Sequence, residues 1–164
     1  MKKKEKVIKA LFGNMFDLGS ESVAEEYEFY FDIEPVQQQR PRFARRGRYV
    51  HTYDPPKTAN FKKQLRQLAS EQYQGTPLEG ELYVTAKFFR PIQKSLSKKE
   101  HVKRASGVHR PIVKSDLSNY LKSFEDALNG IIWRDDAMIV HEEIDKFYSD
   151  QPHIELKIKV KEVE

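Results

Sequence analysis

Residues 116–130 read DLSNYLKSFEDALNG, and this stretch does most to decide the fold. Gly130 is a typical stop after a helix, because glycine readily adopts the left-handed conformation that ends helices. The apolar side chains before it fall within one arc of a helical wheel: Leu117, Tyr120, Leu121, Phe124, Ala127 and Leu128. The spacing predicts an amphipathic helix over residues 116–129 whose apolar side packs on a sheet.

Segments in which apolar and polar residues alternate supply the predicted sheet. The last of them is the clearest, because Ile154, Leu156, Ile158 and Val160 alternate with glutamates and lysines. Such a period of two is typical of a strand with one buried face. Strands are expected at residues 27–34, 81–89, near 137–147 and at 154–161.

The rest of the chain contains one further helix and stretches without a clear period. Thr58 is expected to cap a helix that runs to about Tyr73, and residues 91–110 are expected to form a long loop. The element order predicts a single small α+β domain, with a mixed or antiparallel sheet and two main helices packed on it. We divide the chain into an N-terminal extension (helix or arm), one domain and a tail, at residues 1–26, 27–160 and 161–164.

The composition excludes several classes of protein. Ten Phe, eight Tyr and one Trp among 164 residues argue against a disordered chain. The absence of Cys excludes disulfides, thiolate zinc sites and cysteine nucleophiles, and it fits a reducing compartment. No apolar run approaches the ~18 residues that span a membrane, and the five His lack the spacing of a zinc hydrolase.

The net charge of +4 hides two strongly basic blocks and one acidic block. Residues 40–66 and residues 87–114 each carry nine basic groups and one acidic group, a net charge of +8 per block. Residues 115–146 carry eight acidic and three basic groups, a net charge of −5. Basic clusters of this density favour binding to a polyanion, and the acidic block indicates either a turn-rich surface or a cation site.

The first basic block predicts a surface that contacts nucleic acid. Its arginines interleave with Phe43 and Tyr49 in a basic loop or hairpin that turns at Gly47. Arginines are expected to contact phosphates, and a ring to stack where bases open, although a solvated basic loop has the same composition. The predicted DNA contacts are Arg40, Arg42, Arg45, Arg46, Arg48, Lys57 and Lys114. In the second block, a further DNA arm could follow Lys98, Lys99, Lys103 and Arg104.

The acidic block contains the candidate metal ligands. Asp116 begins the predicted helix, and Asp135 and Asp136 follow it; taken alone, the first reads as a helix cap and the pair as a turn. A helix of 14 residues is about 21 Å long, and the chain from Gly130 to Asp136 spans at most about 20 Å. Asp136 is therefore expected to return beside Asp116. A hard cation such as Mg²⁺ would offset the repulsion between these carboxylates, since it prefers oxygen ligands.

Lys122 lies on the polar side of the same helix, with Asn119 and Asp126. One interpretation is an ion pair with Asp126, four residues later. The other is a catalytic role, in which the ammonium neutralises charge that develops on a phosphate or assists proton transfer. The spacing alone does not choose between them.

Residues 114–136 resemble the RusA-type Holliday junction resolvases. The shared pattern is an Asp and an Asn in the first helical turn, a Lys three residues after the Asn, the sequence Asp-Ala-Leu-Asn-Gly, an aromatic residue and a pair of Asp. Upstream, the segment Arg40-Pro41-Arg42 resembles the R-P-R segment of that family and is followed by Tyr53, Pro55 and a helix. The resemblance covers roughly residues 27–160.

The resemblance implies a homodimeric, Mg²⁺-dependent endodeoxyribonuclease that resolves four-way junctions by paired symmetric nicks. It also implies a role in DNA recombination and repair, an origin in a phage or prophage, and a cytoplasmic, nucleoid-associated location. By position, the catalytic residues map onto Asp116, Lys122 and Asp136, and the metal ligands onto Asp116, Asp136, Asp135 and Ser118. The family has an Asp where this chain has Ser118. Either Ser118 holds a metal-bound water, or Asp135 compensates, or the metal binds more weakly.

Two other functions fit the same residues. A non-catalytic junction- or DNA-binding protein would keep the basic blocks and use its acidic residues as caps and turns, and Ser118 favours this alternative. A less selective Mg²⁺-dependent nuclease would also cut flaps or single strands.

Overall fold

The computed structural model describes residues 25–161, which form a four-stranded sheet, a separate hairpin and three helices. The strands are β1 (Glu25–Phe31), β2 (Arg42–Arg46), β3 (Tyr49–Tyr53), β4 (Glu81–Pro91), β5 (Ile139–Ser149) and β6 (His153–Lys161). The helices are α1 (Pro56–Gln72), α2 (Lys98–Ala105) and α3 (Leu117–Leu128), and a 3₁₀ helix (Asp136–Met138) precedes β5. The predicted α+β class is confirmed. The expectations for residues 1–24 and 162–164 lie outside the described residues.

The main sheet is mixed, with the strand order β1–β6–β4–β5. β6 pairs antiparallel with β1 and with β4, whereas β4 and β5 run parallel. A parallel pair needs a long crossover connection, and residues 92–138, which contain α2 and α3, supply it. Asp116, Lys122 and Asp136 therefore all lie in this one connection.

The core lies between one face of this sheet and the helices α1 and α3. The alternation in β6 behaves as predicted, because Ile154, Leu156 and Ile158 are fully buried. Phe124 of α3 and Trp133, in the turn after α3, are also fully buried in this core. Burial of each such side chain stabilises the fold by about 1.5–3 kcal/mol. The apolar side of α3 thus fixes the direction in which its polar side points.

The start of α1 differs from the prediction, because Thr58 does not cap the helix. The helix begins at Pro56, and Pro55 occupies the cap position without a side-chain hydrogen bond. Proline suits the first position of a helix because it lacks the N–H that would be left unpaired there. Thr58 is the third residue of the helix, fully buried, and its hydroxyl donates to the carbonyl of Gln37 at 3.3 Å.

The expected long loop at residues 91–110 contains the helix α2, so the described chain has three helices rather than two. Ser97 begins this helix, and its hydroxyl accepts a hydrogen bond from the Glu100 N–H at 3.3 Å. Arg104 then pairs with Glu100 at 2.8 Å. No residue of α2 is buried, and for that reason no apolar stripe in the sequence predicted it. None of the three helices is long and apolar enough to cross a membrane.

Candidate active site

Strands β2 and β3 form a hairpin that, in the described chain, pairs only with itself. Gly47 at its turn has a φ of +65°, a conformation that residues with a Cβ rarely adopt. Of the two predicted alternatives, a loop or a hairpin, the structure has the hairpin. The side chains that the structure describes along both strands are all exposed, and the exposed basic residues of this segment include Arg40, Arg42, Arg45 and Arg48.

Both ends of the hairpin are bonded to α3. Before β2, the Gln38 N–H donates to the carbonyl of Asn119 at 2.7 Å. After β3, Lys62 of α1 donates to Asp54 and to Asp126, each at 2.9 Å. The hydrogen bond from Lys62 holds the pKa of the Asp54 carboxyl below its usual value. The hairpin is thus attached to the helix that carries most of the predicted catalytic residues.

Lys122 is exposed and has no hydrogen-bond or ion-pair partner among the residues that the structure describes. The expected alternative of an ion pair with Asp126 is not observed, because Asp126 binds Lys62 instead. Ser118, Lys122 and Glu125 are spaced by four and three residues and therefore lie along one stripe of α3. The ammonium of Lys122 is accessible to a ligand above this stripe.

The aspartates at the two ends of α3 differ in what their side chains do. Asp116 occupies the cap position of α3, but its carboxylate accepts no capping hydrogen bond and is exposed. Asp135, by contrast, caps the 3₁₀ helix by accepting a hydrogen bond from the Ala137 N–H at 2.8 Å. The cap interpretation therefore describes Asp135 and not Asp116. Asp136, next to Asp135, is half-buried.

Glu125, in the C-terminal half of α3, is paired with Glu142, and neither is among the predicted site residues. Burial, followed by the hydrogen bond and negative charge of Glu142, raises the pKa of Glu125 to about 9. Asp136 and Asp126 add negative charge at the same place. The position of Glu125 on the stripe of Lys122 could have drawn attention to it. Its partner Glu142 lies on β5, and no spacing in the sequence indicates that contact.

Asp116 and Asp136 lie toward opposite ends of α3. Asp136 is near Glu125 in the third turn of the helix, about 13 Å along the axis from Asp116 at ~1.5 Å per residue. The expected return beside Asp116 assumed an extended connection, but the Gly130 N–H donates to the carbonyl of buried Trp133 at 2.7 Å and closes a turn. Among residues 25–161, no three His, Asp or Glu side chains are grouped so that they could hold a metal ion.

A comparison with protein families finds a match over the part of the chain that contains these residues. Residues 32–159 match the family model of endodeoxyribonuclease RusA. The chain belongs to the RusA endodeoxyribonuclease family. The match begins just after β1 and ends within β6, so it includes the hairpin, α3 and the Asp135–Asp136 pair. The protein is accordingly a nuclease of a family of metal-dependent Holliday junction resolvases.

A second comparison identifies a bacterial relative of this chain. The uncharacterized protein YqaN of Bacillus subtilis (strain 168) is 40% identical over 128 residues. The alignment covers 77% of this chain and 90% of that protein. It therefore spans most of both proteins.

The donor groups of this RusA-family chain suit a hard cation. Asp116 and Ser118 are exposed oxygen donors two residues apart, and neither side chain has a partner among the described residues. Mg²⁺ keeps several of its waters and needs only one or two carboxylates from the protein. Glu125 and Glu142 add carboxyl groups near Asp136, and a bound cation would offset the negative charge there. The residues fit a partly hydrated divalent ion.

The basic residues of the second block are only partly available for DNA. Arg104 stacks on Tyr148 with 4.7 Å from its guanidinium carbon to the ring centre, and Arg110 stacks on Phe147 at 4.0 Å. These two arginines hold residues 98–110 against the ends of the strands. Lys57 and Lys114 are exposed. The carbonyl of Lys114 accepts a hydrogen bond from Arg90 at 2.9 Å, which fixes the chain just before Asp116.

Proposed function

We propose that this nuclease is an Mg²⁺-dependent homodimer that resolves four-way DNA junctions by paired symmetric nicks. The observation that carries the proposal is the pair of functional groups on α3 that no part of the described chain occupies. Asp116 occupies the cap position of α3, but its side chain makes no capping hydrogen bond. Lys122 does not pair with Asp126, because Asp126 binds Lys62. The proposal includes a role in DNA recombination and repair, a phage or prophage origin and a cytoplasmic, nucleoid-associated location.

In the proposed reaction, Asp116 would bind the metal with Ser118 beside it. Asp136, toward the other end of α3, would act with the capping residue Asp135 as a second group of oxygen donors. Mg²⁺, when bound, supplies an activated water and neutralises charge on the phosphate. Lys122 approaches the phosphate from the exposed side of α3 and stabilises the additional negative charge of the transition state. Asp135 orients Asp136 by fixing the 3₁₀ helix in which Asp136 lies.

DNA binding is assigned to the basic surface around the hairpin. Phosphate contacts position a protein on DNA without reading its sequence, and the exposed arginines, with Lys57 and Lys114, supply such contacts. A four-way junction has two-fold symmetry, so paired cuts call for two equivalent active sites. A homodimer meets this requirement.

Three variants test the site. Asp116→Asn and Asp136→Asn are expected to bind a synthetic four-way junction but to nick it at least ~100-fold more slowly, because a ligand charge is lost. Asp32→Asn, which removes an exposed carboxylate outside the site, is the matched control. Asp135→Asn tests the supporting residue, and because Asn is also a good cap it preserves the 3₁₀ helix. Its activity is expected to stay within about tenfold of the unaltered protein. Mg²⁺-dependent nicking by Asp116→Asn at the normal rate would remove Asp116 from the site.

Ser118 favours a second candidate, a junction-binding protein without catalysis. Serine supplies no charge where the family pattern has an Asp, and its side chain is exposed beside Asp116. Under the nuclease proposal, Ser118→Asp is expected to lower the Mg²⁺ concentration needed for half-maximal nicking. Tight junction binding without nicking at any Mg²⁺ concentration would support the second candidate.

A further inference from the structure

The hairpin exposes rings on both of its faces. Opposite residues of an antiparallel pair share a face, so Phe43 lies with Thr52, and Arg45 with Val50, on one face. The other face carries the pairs Arg42–Tyr53 and Ala44–His51 and the ring of Tyr49. Phe43 is 73% exposed, Tyr49 82% and Val50 65%. An isolated two-stranded hairpin has little stability of its own, and clustered exposed apolar groups mark an interaction site.

The charge of the hairpin indicates the kind of partner. Residues 40–48 contain five Arg and no acidic residue. A second copy of this surface would be repelled, so the partner must carry negative charge. It must also offer flat apolar faces to the rings, and a nucleic acid with unstacked bases offers both.

The side chain of Phe43 distinguishes paired from open DNA. In a continuous duplex the base faces cover one another, and a groove presents mainly hydrogen-bonding edges. Phe has no group that can bond to those edges. It gains most by stacking on a base face that has lost its neighbour, and such faces occur where four arms meet.

Resting on the proposed function, we propose that the β2–β3 hairpin is a wedge that enters the centre of a branched DNA. Phe43 stacks there on an unstacked base, while Arg42 and Arg45, one on each face, hold the flanking phosphates. Five residues per strand at ~3.3 Å each give the hairpin a reach of about 16 Å, which is comparable to the diameter of a duplex. The bonds from Gln38 to Asn119 and from Lys62 to Asp126 fix this wedge relative to α3.

A fluorescent base analogue, whose emission rises when it leaves the stack, tests the wedge. It is placed at the branch point of a four-way junction or, as a reference, in the middle of an arm, and the full-length protein is added without a divalent cation. The emission is expected to rise several-fold at the branch point and to stay constant in the arm. Constant emission at the branch point as well as in the arm would overturn the proposal.

Substitutions assign the effect to the ring. Phe43→Leu keeps an apolar side chain but cannot stack, so it is expected to abolish the rise and to weaken junction binding about tenfold relative to linear duplex. Phe43→Tyr is expected to retain both properties, and so is Thr52→Ser, the control on the same face. Arg45→Ala is expected to keep the rise and to reduce the salt dependence of binding by about one unit of slope. An undiminished rise in Phe43→Leu, or an equal loss of affinity for junction and duplex, would contradict the assignment.

Nicking of the same junction in Mg²⁺ separates the two proposals. If the unaltered protein nicks the junction but the emission does not change, the wedge is wrong and the nuclease function stands. If the emission rises but no nick forms, the wedge stands and the nuclease function is wrong. None of the described hairpin side chains is buried, so these variants are expected to keep the melting temperature of the unaltered protein. Measuring that temperature checks that each variant is folded.

Discussion

β6 and the β2–β3 hairpin have the same two-residue repeat and opposite environments. Every second residue of β6 is buried between the sheet and the helices, whereas β3 is exposed along its whole length. Apolar packing holds β6, while the hairpin keeps its place through polar contacts at its two ends. The contrast shows that a strand pattern alone does not reveal which strands build the core and which are presented to a partner.

The largest effect is expected in β6. Leu156→Ala removes a fully buried side chain from the centre of the core, and the resulting cavity is expected to lower the free energy of unfolding by about 2–5 kcal/mol. Denaturant unfolding measures this loss. Val50→Ala, in the hairpin, is expected to stay within about 0.5 kcal/mol. A loss above ~1 kcal/mol in Val50→Ala would mean that the hairpin packs like the core.

An intermediate effect is expected at the attachment of the hairpin. Lys62→Met leaves Asp54 and Asp126 without their shared cation and is expected to lower the free energy of unfolding by about 1–2 kcal/mol. Junction nicking is expected to fall more than junction binding, since the hairpin is no longer fixed relative to α3. Lys63→Met, at an exposed neighbouring position without a partner in the described chain, is the control. Equal nicking by the two variants would show that Lys62 does not position the hairpin.

The last prediction concerns the pH dependence of stability and Glu125, a half-buried acid on the same stripe of α3 as Lys122. The folded protein raises the pKa of Glu125 from 4.5 to about 9, so the folded state binds this proton more tightly than the unfolded state does. Its contribution to stability is complete below pH ~4.5 and is lost as the pH rises through ~9. Glu125→Gln is expected to flatten the pH dependence of unfolding in this window. An unchanged slope in Glu125→Gln would assign that dependence to another group.

The parts that could be predicted from the sequence are those that local spacing determines. The apolar arc of α3 and the alternation of β6 follow directly from burial on one side. Helix α2 could not be found in this way, because a cap and an ion pair hold it instead of an apolar face. Thr58 suits a cap position by residue type, but Pro55 and Pro56 before it already begin α1.

The sequence predicted some residues of the candidate site, but it did not predict which residues they contact. Asp116 and Lys122 follow from their positions on α3. The bond between Lys62 and Asp126 joins residues 64 positions apart, and the Glu125–Glu142 contact joins a helix to a strand. Such pairings arise only when the elements pack. The turn closed by Gly130 and Trp133 likewise decides where Asp136 lies, and an estimate of extended chain length could not foresee it.

The most direct test of the central claim is to map the cuts on all four strands of a four-way junction incubated with the protein and Mg²⁺. The proposed function predicts nicks at symmetric positions on two opposite strands, little cutting of a linear duplex with the same sequence, and loss of both nicks in Asp116→Asn. Cuts of similar yield in the linear duplex, or no cuts while the junction is bound, would contradict it.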